Sequence, residues 1–287
     1  MKKSLILLPL AALLVACGPA AVSAAELKTV AENLQTVNSG EDFVAPTRAT
    51  LTMNSEFTMT ETGEEDWVSE SHITAMFDAS TGYYSAVGTE DGVEAAMYSY
   101  AEGTKYILAM GEGEEKMYTA VECGSEELAL VAAKAALAEM RFDLLFASYA
   151  AGETELQTII GWCDMIIANT DEDTTNDVNQ GYTEKFNTTL TGSASDNNID
   201  VTIGVEAAGS ETAEGVTSGG ALNGTFKVKF VNGLLTYSLD EATMTEYAEL
   251  EGERYEMGVI SRQEAILSYD AINPVYPNLS EYTLMSM

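Results

Sequence analysis

Residues that could catalyse acid–base or nucleophilic chemistry are scarce in this sequence, apart from carboxylates. Its 287 residues include one histidine and three cysteines, against 46 aspartate and glutamate residues. The histidine, His72, lies in a predicted strand on the face opposite Ile73 and Phe77, which is more typical of a solvent-facing or pairing side chain than of a general base. No nucleophile elbow, Ser-x-x-Lys pair, phosphate-binding loop or His-Glu-x-x-His motif occurs. The sequence therefore predicts a protein that is not an enzyme. A hydrolase with paired carboxylates is a less favoured alternative, because no pair stands out.

One acidic segment imitates the start of a calcium-binding loop. Asp171, Asp173 and Asp177 would offer oxygen ligands at alternate positions. The sixth position is Asn176 where glycine is expected, and the twelfth is Tyr182 where a bidentate glutamate is expected. A zinc site would lack ligands, since one histidine and two spare cysteines do not make a tetrahedral set. We therefore expect a solvated acidic loop and predict no metal or other cofactor.

The N-terminal segment has the composition of an export signal. Lys2 and Lys3 give a short positive head, and the apolar run over 4–16 is broken only by Pro9. That run is too short to cross a hydrocarbon core of ~30 Å, which takes about 20 residues. It ends in Leu14-Val15-Ala16-Cys17, a small residue followed by a cysteine.

This tetrapeptide resembles the lipobox of bacterial lipoproteins, in which a peptidase cuts before the cysteine and acyl chains are attached to that residue. The resemblance implies that residues 1–16 are a signal peptide and that Cys17 is lipidated. The protein would then be anchored by lipid at the extracytoplasmic face of a bacterial cell membrane. Cleavage after Ala24, which would free a secreted protein, is the second alternative, and an uncleaved anchor is the third.

The charge of the chain limits its partners. A formal net charge of −33 repels nucleic acid and anionic lipid headgroups, because the surface cannot neutralise phosphates. Nucleic-acid binding is excluded on this ground. A solvated acidic exterior is the simplest interpretation, and binding of divalent cations or of a basic protein partner is the functional alternative.

Two cysteines remain once Cys17 is set aside. Cys123 and Cys163 form an even pair in a compartment where a disulfide can persist. A bridge between them and two buried free thiols are equally compatible with the sequence, because the required Cα separation cannot be read from it.

Hydrophobic periodicity predicts two groups of strands separated by helices. Residues 17–25 form a small-residue tether, and helical spacing predicts a helix over 26–37. The Gly/Ser/Thr-rich segment 209–220 predicts a loop, and Asn232-Gly233 predicts a hairpin turn. Helices are also predicted over 126–149, capped by Ser125, and over 153–168. Strands are predicted over 50–59, 67–78, 82–88, 94–100, 104–110, 115–121, 182–190, 199–206, 226–230, 235–239, 244–251, 254–260 and 264–269.

This order predicts an α+β fold. We expect one large, curved antiparallel sheet, a half-barrel of about 10–12 strands, with the helices on its concave face. A single domain over 26–287 is preferred, because neither half has another way to cover an apolar sheet face. Two smaller domains divided near 170–180 are the alternative.

The combination of a lipobox, an early helix, a long antiparallel meander and a mid-chain helical insert resembles the lipoprotein-carrier and lipoprotein-localisation half-barrels. The mycobacterial lipid-binding lipoproteins share that architecture. The resemblance rests on element order, so no functional residue is carried over from it. It implies that the concave face and its helices enclose an apolar cavity for acyl chains.

Aromatic and methionine residues in the strands are the candidates for lining that cavity. Methionine adapts to irregular apolar shapes, although such residues more often form core and cross-strand pairs. The residues proposed to face the cavity are Tyr83, Tyr98, Tyr100, Phe226, Val228, Phe230 and Tyr237.

The function predicted from the sequence is binding or transfer of a lipid or other apolar ligand by a membrane-anchored, non-enzymatic lipoprotein. The alternative is a surface or envelope interaction protein with a filled core and an acidic exterior that meets a protein partner or cations. The volume between the sheet and the helices discriminates between the two.

Overall fold

The structure is a computed structural model that describes residues 22–41, 43–169, 182–213 and 215–285. Its described helices are α1 (Ala24–Asn38), α2 (Glu126–Met140), α3 (Phe142–Ala151) and α4 (Glu153–Asn169), with a 3₁₀ turn at Leu279–Glu281. Its described strands are β1 (Arg48–Glu61), β2 (Trp67–Asp78), β3 (Tyr83–Glu90), β4 (Val93–Glu102), β5 (Lys105–Glu112), β6 (Glu115–Glu122), β7 (Tyr182–Ser195), β8 (Asn198–Ala213), β9 (Val216–Val231), β10 (Leu234–Leu250), β11 (Glu253–Ser268) and β12 (Thr283–Leu284).

These strands form a single sheet, in the order β12-β6-β5-β4-β3-β2-β1-β11-β10-β9-β8-β7. Neighbours pair antiparallel, except that the short β12 runs parallel to β6. Strand β1 pairs with β11 from Thr50 opposite Ser268 to Glu61 opposite Met257. This pairing joins the strands of both halves of the chain. The prediction of a large, mostly antiparallel sheet combined with helices is confirmed.

The two faces of this sheet are covered by different parts of the chain. The helix face carries Leu51, Phe77 and Val228, which share a buried core with α1, α3 and α4. Phe146 of α3 stacks on Phe77, with ring centroids 5.2 Å apart, and burying one such side chain stabilises the fold by about 1.5–3 kcal/mol. The opposite side, the outer face, carries the other residue of each alternating pair.

The predicted helix over 126–149 is wrong in one respect, because it is two helices. Ser125 caps α2 as expected, accepting a hydrogen bond from the Leu128 N–H. Arg141 then adopts a left-handed conformation with φ 57° and ends α2, and α3 starts at the next residue. The break lets Phe142 stack on Tyr84 of the sheet, with centroids 3.6 Å apart.

The predicted loop over 209–220 is also wrong where the structure describes it. Strands β8 and β9 continue through this segment and pair Gly209 with Gly220 and Thr212 with Thr217. A Cβ at Gly219 would lie 2.7 Å from the Gly209 carbonyl oxygen. The glycine therefore permits a close approach between strands, and its low-complexity composition does not make the segment a loop.

The C-terminal segment after β11 covers the outer face over β3–β6. Ile272, Leu279 and Tyr282 of this segment pack on a second buried cluster that includes Tyr83 and Ile107. The segment ends by pairing Thr283 and Leu284 with β6. This segment thus covers the outer face of this part of the sheet.

Candidate ligand-binding site

A cavity of about 580 Å³ lies between the helix face and helices α3 and α4. We call it the central cavity. Its volume is within the range of small-molecule sites, about 300–1,000 Å³. The sheet supplies residues from β1, β2, β9, β10 and β11, and the helices supply the C-terminal half of α3 and the first two turns of α4. The lining side chains include Met53, Ser55, Ser71, Ile73, Leu145, Ser148, Tyr149, Glu153, Thr154, Glu155, Thr158, Phe226, Ser238, Asp240, Gln263 and Ala265.

Two carboxyl groups in this cavity are perturbed by their surroundings. Burial raises the pKa of Glu155 above its usual range, against hydrogen bonds from its own main chain and from Ser238 that lower it. Partial desolvation also raises the pKa of Asp240, although this residue stays exposed to solvent. Burial and then the charge of Glu155 raise the pKa of Tyr269. The central cavity therefore has acidic groups among apolar lining residues, and Asp240 is the direct cross-strand neighbour of Phe226.

Hydroxyl groups on the sheet side of the central cavity add further polar groups. The Ser55 and Ser71 hydroxyls, on neighbouring strands, are hydrogen bonded at 2.8 Å. Among the described residues that line the cavity, no lysine, arginine or histidine occurs. The cavity can therefore accept hydrogen bonds and bind positive charge, but it offers no cationic side chain to an anion.

A second depression of about 400 Å³ continues along the helix face over β2–β6. Met97, Met110 and Met117 stand directly opposite one another on β4, β5 and β6 and form its floor. We call it the methionine groove. Ile73 lines both the groove and the central cavity, so the two depressions adjoin.

A third pocket, of about 600 Å³, lies on the outer face beneath the C-terminal segment and contains His72. The Nδ1 atom of His72 is hydrogen bonded to the Asn54 side-chain oxygen. The amide nitrogen of Asn54 donates in turn to Glu264 at 3.2 Å. His72 is thus an exposed side chain in a cross-strand polar chain.

The structure divides the predicted cavity residues between the two faces. Phe226, Val228 and Phe230 lie in the core of the helix face, and Phe226 lines the central cavity. The prediction that the four tyrosines share that face is wrong. Tyr83, Tyr98 and Tyr100 belong to the outer cluster, and the pairing of Tyr237 with Ile266 and Lys229 places it on the outer face too.

A register shift explains the error at Tyr237. A bulge between Leu235 and Tyr237 interrupts the two-residue period of β10. As a result Leu235 faces the helices, Tyr237 faces outward, and Ser238 and Asp240 return to the helix face. Sequence reasoning missed Asp240 for this reason, because alternation counted from Leu235 places it on the wrong side.

Glu155 was missed because of its position in the first turn of α4. Acidic residues there are expected from the helix dipole alone, so its presence carried no signal. A usable signal was its neighbour Leu156, which belongs to the apolar face of the helix and is fully buried. A carboxylate next to such a residue can lie at the edge of the same helix–sheet interface.

The remaining sequence-based candidates have separate outcomes. Cys123 and Cys163 are both free thiols in the structure, and burial raises the pKa of the Cys163 thiol to about 11. Cys17 and the acidic residues Asp171, Asp173 and Asp177 lie outside the described residues.

Searches of the described residues for two other features give negative results. In the ranges given above, no group of three or more histidine, cysteine, aspartate or glutamate side chains is arranged to hold a metal ion. None of the helices in those ranges combines the length and apolar character needed to cross a membrane.

Comparisons with known proteins give no relative from which a role can be transferred. No protein-family model matches the chain, and no curated protein matches its sequence. Among solved structures, the chain is similar to Neisserial surface protein A (NspA), with 9% identity over 76% of this chain and 96% of that one. The TM-score of 0.16 is too low for the likeness to carry an argument.

Proposed function

We propose that this protein is a membrane-anchored, extracytoplasmic lipoprotein that binds or transfers a lipid or other largely apolar ligand without catalysing a reaction. The observation that carries the proposal is the central cavity, about 580 Å³ between the helix face and α3–α4. A solid core between sheet and helices would have argued against a carrier. Apolar walls with a few convergent polar groups are typical of small-molecule sites.

The half-barrel architecture belongs to this proposal. The sheet curves around its helices, which occupy the concave side. In support, the buried residues of α1, α3 and α4 join one core with a single face of the sheet. Helix α3 lies close to that face, since a Cβ at Gly152 would be 2.6 Å from the Phe230 ring.

The lipid anchor rests on the sequence and is consistent with the start of α1. Ser23 caps this helix in a reciprocal capping box with Glu26, a cap worth about 0.5–2 kcal/mol. Cleavage after Ala24 would remove Ser23 and leave the first turn uncapped. Cleavage before Cys17 would keep the cap and leave a short tether before the helix.

An interaction role is the second candidate, favoured by exposed apolar side chains on β2, β10 and β11. Trp67, Leu250, Tyr255 and Ile260 are roughly half exposed. Trp67 begins β2, Leu250 ends β10, and Tyr255 and Ile260 lie near the start and in the middle of β11. A protein partner would cover these side chains and leave the central cavity unused.

A hydrolase remains the least favoured function. Partial desolvation is what raises the pKa of Asp240, and the shift of Glu155 involves Ser238 and its own main chain. Neither shift involves the charge of a second carboxylate, which a closely spaced catalytic pair would produce.

Lipid extraction from the purified protein, followed by mass spectrometry, tests the proposal directly. Titration with Nile red, an uncharged apolar dye, measures occupancy of the cavity. Ser148→Trp should fill the mouth of the central cavity and weaken dye binding by about tenfold, equivalent to ~1.4 kcal/mol. Leu144→Trp is the matched control, because Leu144 is 48% exposed on the same helix and does not line the cavity. The proposal fails if no apolar molecule copurifies and the protein binds no dye.

A further inference from the structure

The methionine groove is a continuation of the central cavity. All of its described lining residues belong to strands β2–β6, and none belongs to a helix. Ile73 separates it from the central cavity and lines both. A ligand that extends past Ile73 would leave the space under the helices and lie directly on the sheet.

The floor of the groove suits a hydrocarbon chain. Ala86 of β3 pairs with Met97, so the row continues from the three methionines toward the middle of the sheet and the central cavity. Methionine side chains are flexible and polarisable, so they can fit chains of irregular shape. A Cβ at Gly88 would overlap the main chain of His72 and Ile73, so the close approach of β3 to β2 beside the groove requires glycine.

The charges around both depressions have one sign. Glu90, Glu112 and Glu115 line the groove, and Glu155 and Asp240 line the central cavity. The described lining residues of the two depressions include no lysine, arginine or histidine. A negatively charged amphiphile would be repelled here, and a positively charged one would be attracted.

We infer that the ligand is a cationic amphiphile, with its hydrocarbon chain in the methionine groove and its positively charged end among the carboxylates of the central cavity. This inference rests on the proposed function and specifies the class of ligand. A second copy of the chain is a poor occupant, because two molecules of formal charge −33 repel each other. An anionic membrane surface is disfavoured for the same reason.

Three probes with the same dodecyl chain test the charge preference: dodecyltrimethylammonium, dodecanol and dodecanoate, each below its micelle concentration. Their affinities for the purified protein are measured by displacement of Nile red. We expect the ammonium compound to bind at least about tenfold more tightly than the carboxylate at low salt, with the alcohol between them. Added salt should reduce the difference in affinity between the ammonium and carboxylate probes. Equal or tighter binding of dodecanoate would overturn the inference.

Two adjacent residues provide a matched charge control. Asp240 lies on the helix face in the cavity, whereas Glu241 pairs with Arg262 and Thr225 on the outer face. Each of Asp240→Asn and Glu241→Gln removes one negative charge, so both change the overall field equally. We expect only Asp240→Asn to reduce the preference for the ammonium probe. An equal reduction by both variants would mean general electrostatic attraction and would contradict the proposed site.

Chain length tests the methionine groove. Four additional methylene groups should make dodecyltrimethylammonium bind up to about a hundredfold more tightly than the octyl compound. Ala95→Trp would occupy the groove and should abolish most of this gain, since Ala95 is an exposed residue on its floor. Ala208→Trp, at an exposed alanine of β8 outside both depressions, should leave it unchanged.

The outcomes separate the two proposals. If none of the probes binds, the proposed function fails. If the probes bind regardless of headgroup charge, and Ala95→Trp behaves like Ala208→Trp, the inference fails while the proposed function stands. A dimer in sedimentation experiments that Ala95→Trp dissociates would identify a second copy as the occupant and would also overturn the inference.

Discussion

The Tyr83 hydroxyl holds the main chain of Val275 through two hydrogen bonds, donating to its carbonyl oxygen at 2.6 Å and accepting from its N–H at 2.9 Å. The next residue, Tyr276, places its ring edge-on to both Tyr83 and Tyr100. These contacts fix the C-terminal segment to the outer face. They also explain why three tyrosines on the face away from the helices are buried.

Replacing Tyr83 by phenylalanine tests how strongly this segment is held. Tyr83→Phe keeps the ring and removes the hydroxyl that satisfies both main-chain groups of Val275, so we expect a loss of about 1–3 kcal/mol in the free energy of unfolding. Limited proteolysis should also become faster within 270–285. Urea denaturation and mass mapping of the fragments measure the two effects.

Tyr255→Phe is the control for that variant. The Tyr255 hydroxyl donates to Glu253 at 3.1 Å at an exposed turn, so its loss should change stability by no more than about 0.5 kcal/mol. Equal effects of the two substitutions would show that the bonds to Val275 contribute little.

The tyrosines illustrate what the sequence could and could not reveal. Tyr83 and Tyr84 are consecutive in a strand, so one of them must face each side of the sheet. Periodicity cannot decide which face the helices cover. It also gives no sign that a proline-containing segment, with Val275 192 residues beyond Tyr83, covers the other face. The side was therefore assigned wrongly.

Local signals were more reliable than those depending on distant contacts. Asn232 and Gly233 have positive φ angles of 53° and 84°, as a type I′ hairpin requires, and the predicted turn is confirmed. Ser125 caps α2 as its sequence pattern predicts. The central cavity, in contrast, depends on where two helices rest on five strands, and the bulge at Leu235–Tyr237 decides which residues line it.

Two glycines in turns between strands, Gly82 and Gly92, test how tightly α2 packs against the sheet. Gly82 has φ +67°, and a Cβ there would lie 2.7 Å from the Lys134 main-chain nitrogen and 2.8 Å from the Ala133 Cβ. Gly92 has φ +80° with nothing within 4 Å. Alanine at either site carries the cost of a left-handed conformation, about 1–2 kcal/mol. Only Gly82→Ala also pushes against the helix, which adds about 1–3 kcal/mol.

The difference between these two variants in urea denaturation measures the packing of α2 on the turn before β3. We expect Gly82→Ala to be the less stable by at least ~1 kcal/mol. If the two variants are equally stable, α2 adjusts its position freely and does not rest firmly on this turn.

The pH dependence of stability tests the half-buried Glu155 carboxyl of the central cavity. Burial raises the pKa of Glu155 above its ordinary value of 4.5. A carboxyl with a higher pKa in the folded state binds its proton more tightly when folded, so it favours folding below the unfolded-state pKa. This contribution is lost as the pH rises through the folded-state pKa. At neutral pH the partly desolvated charge of Glu155 therefore disfavours folding.

Glu155→Gln removes that charge while keeping the size of the side chain and its ability to bond with Ser238. We expect its Tm to exceed that of the wild type at pH 7.5, and the difference to shrink toward zero as the pH falls to about 4. Glu153→Gln is the control, because Glu153 is exposed in the same first turn. Replacing Glu153 removes a favourable interaction of its charge with the helix dipole, about 0.3–1 kcal/mol. The Tm of Glu153→Gln should therefore not rise. Thermal unfolding across this pH range distinguishes the two variants. If Glu155→Gln is less stable than the wild type at pH 7.5, the Glu155 carboxylate is favourably solvated in the cavity and the expectation is wrong.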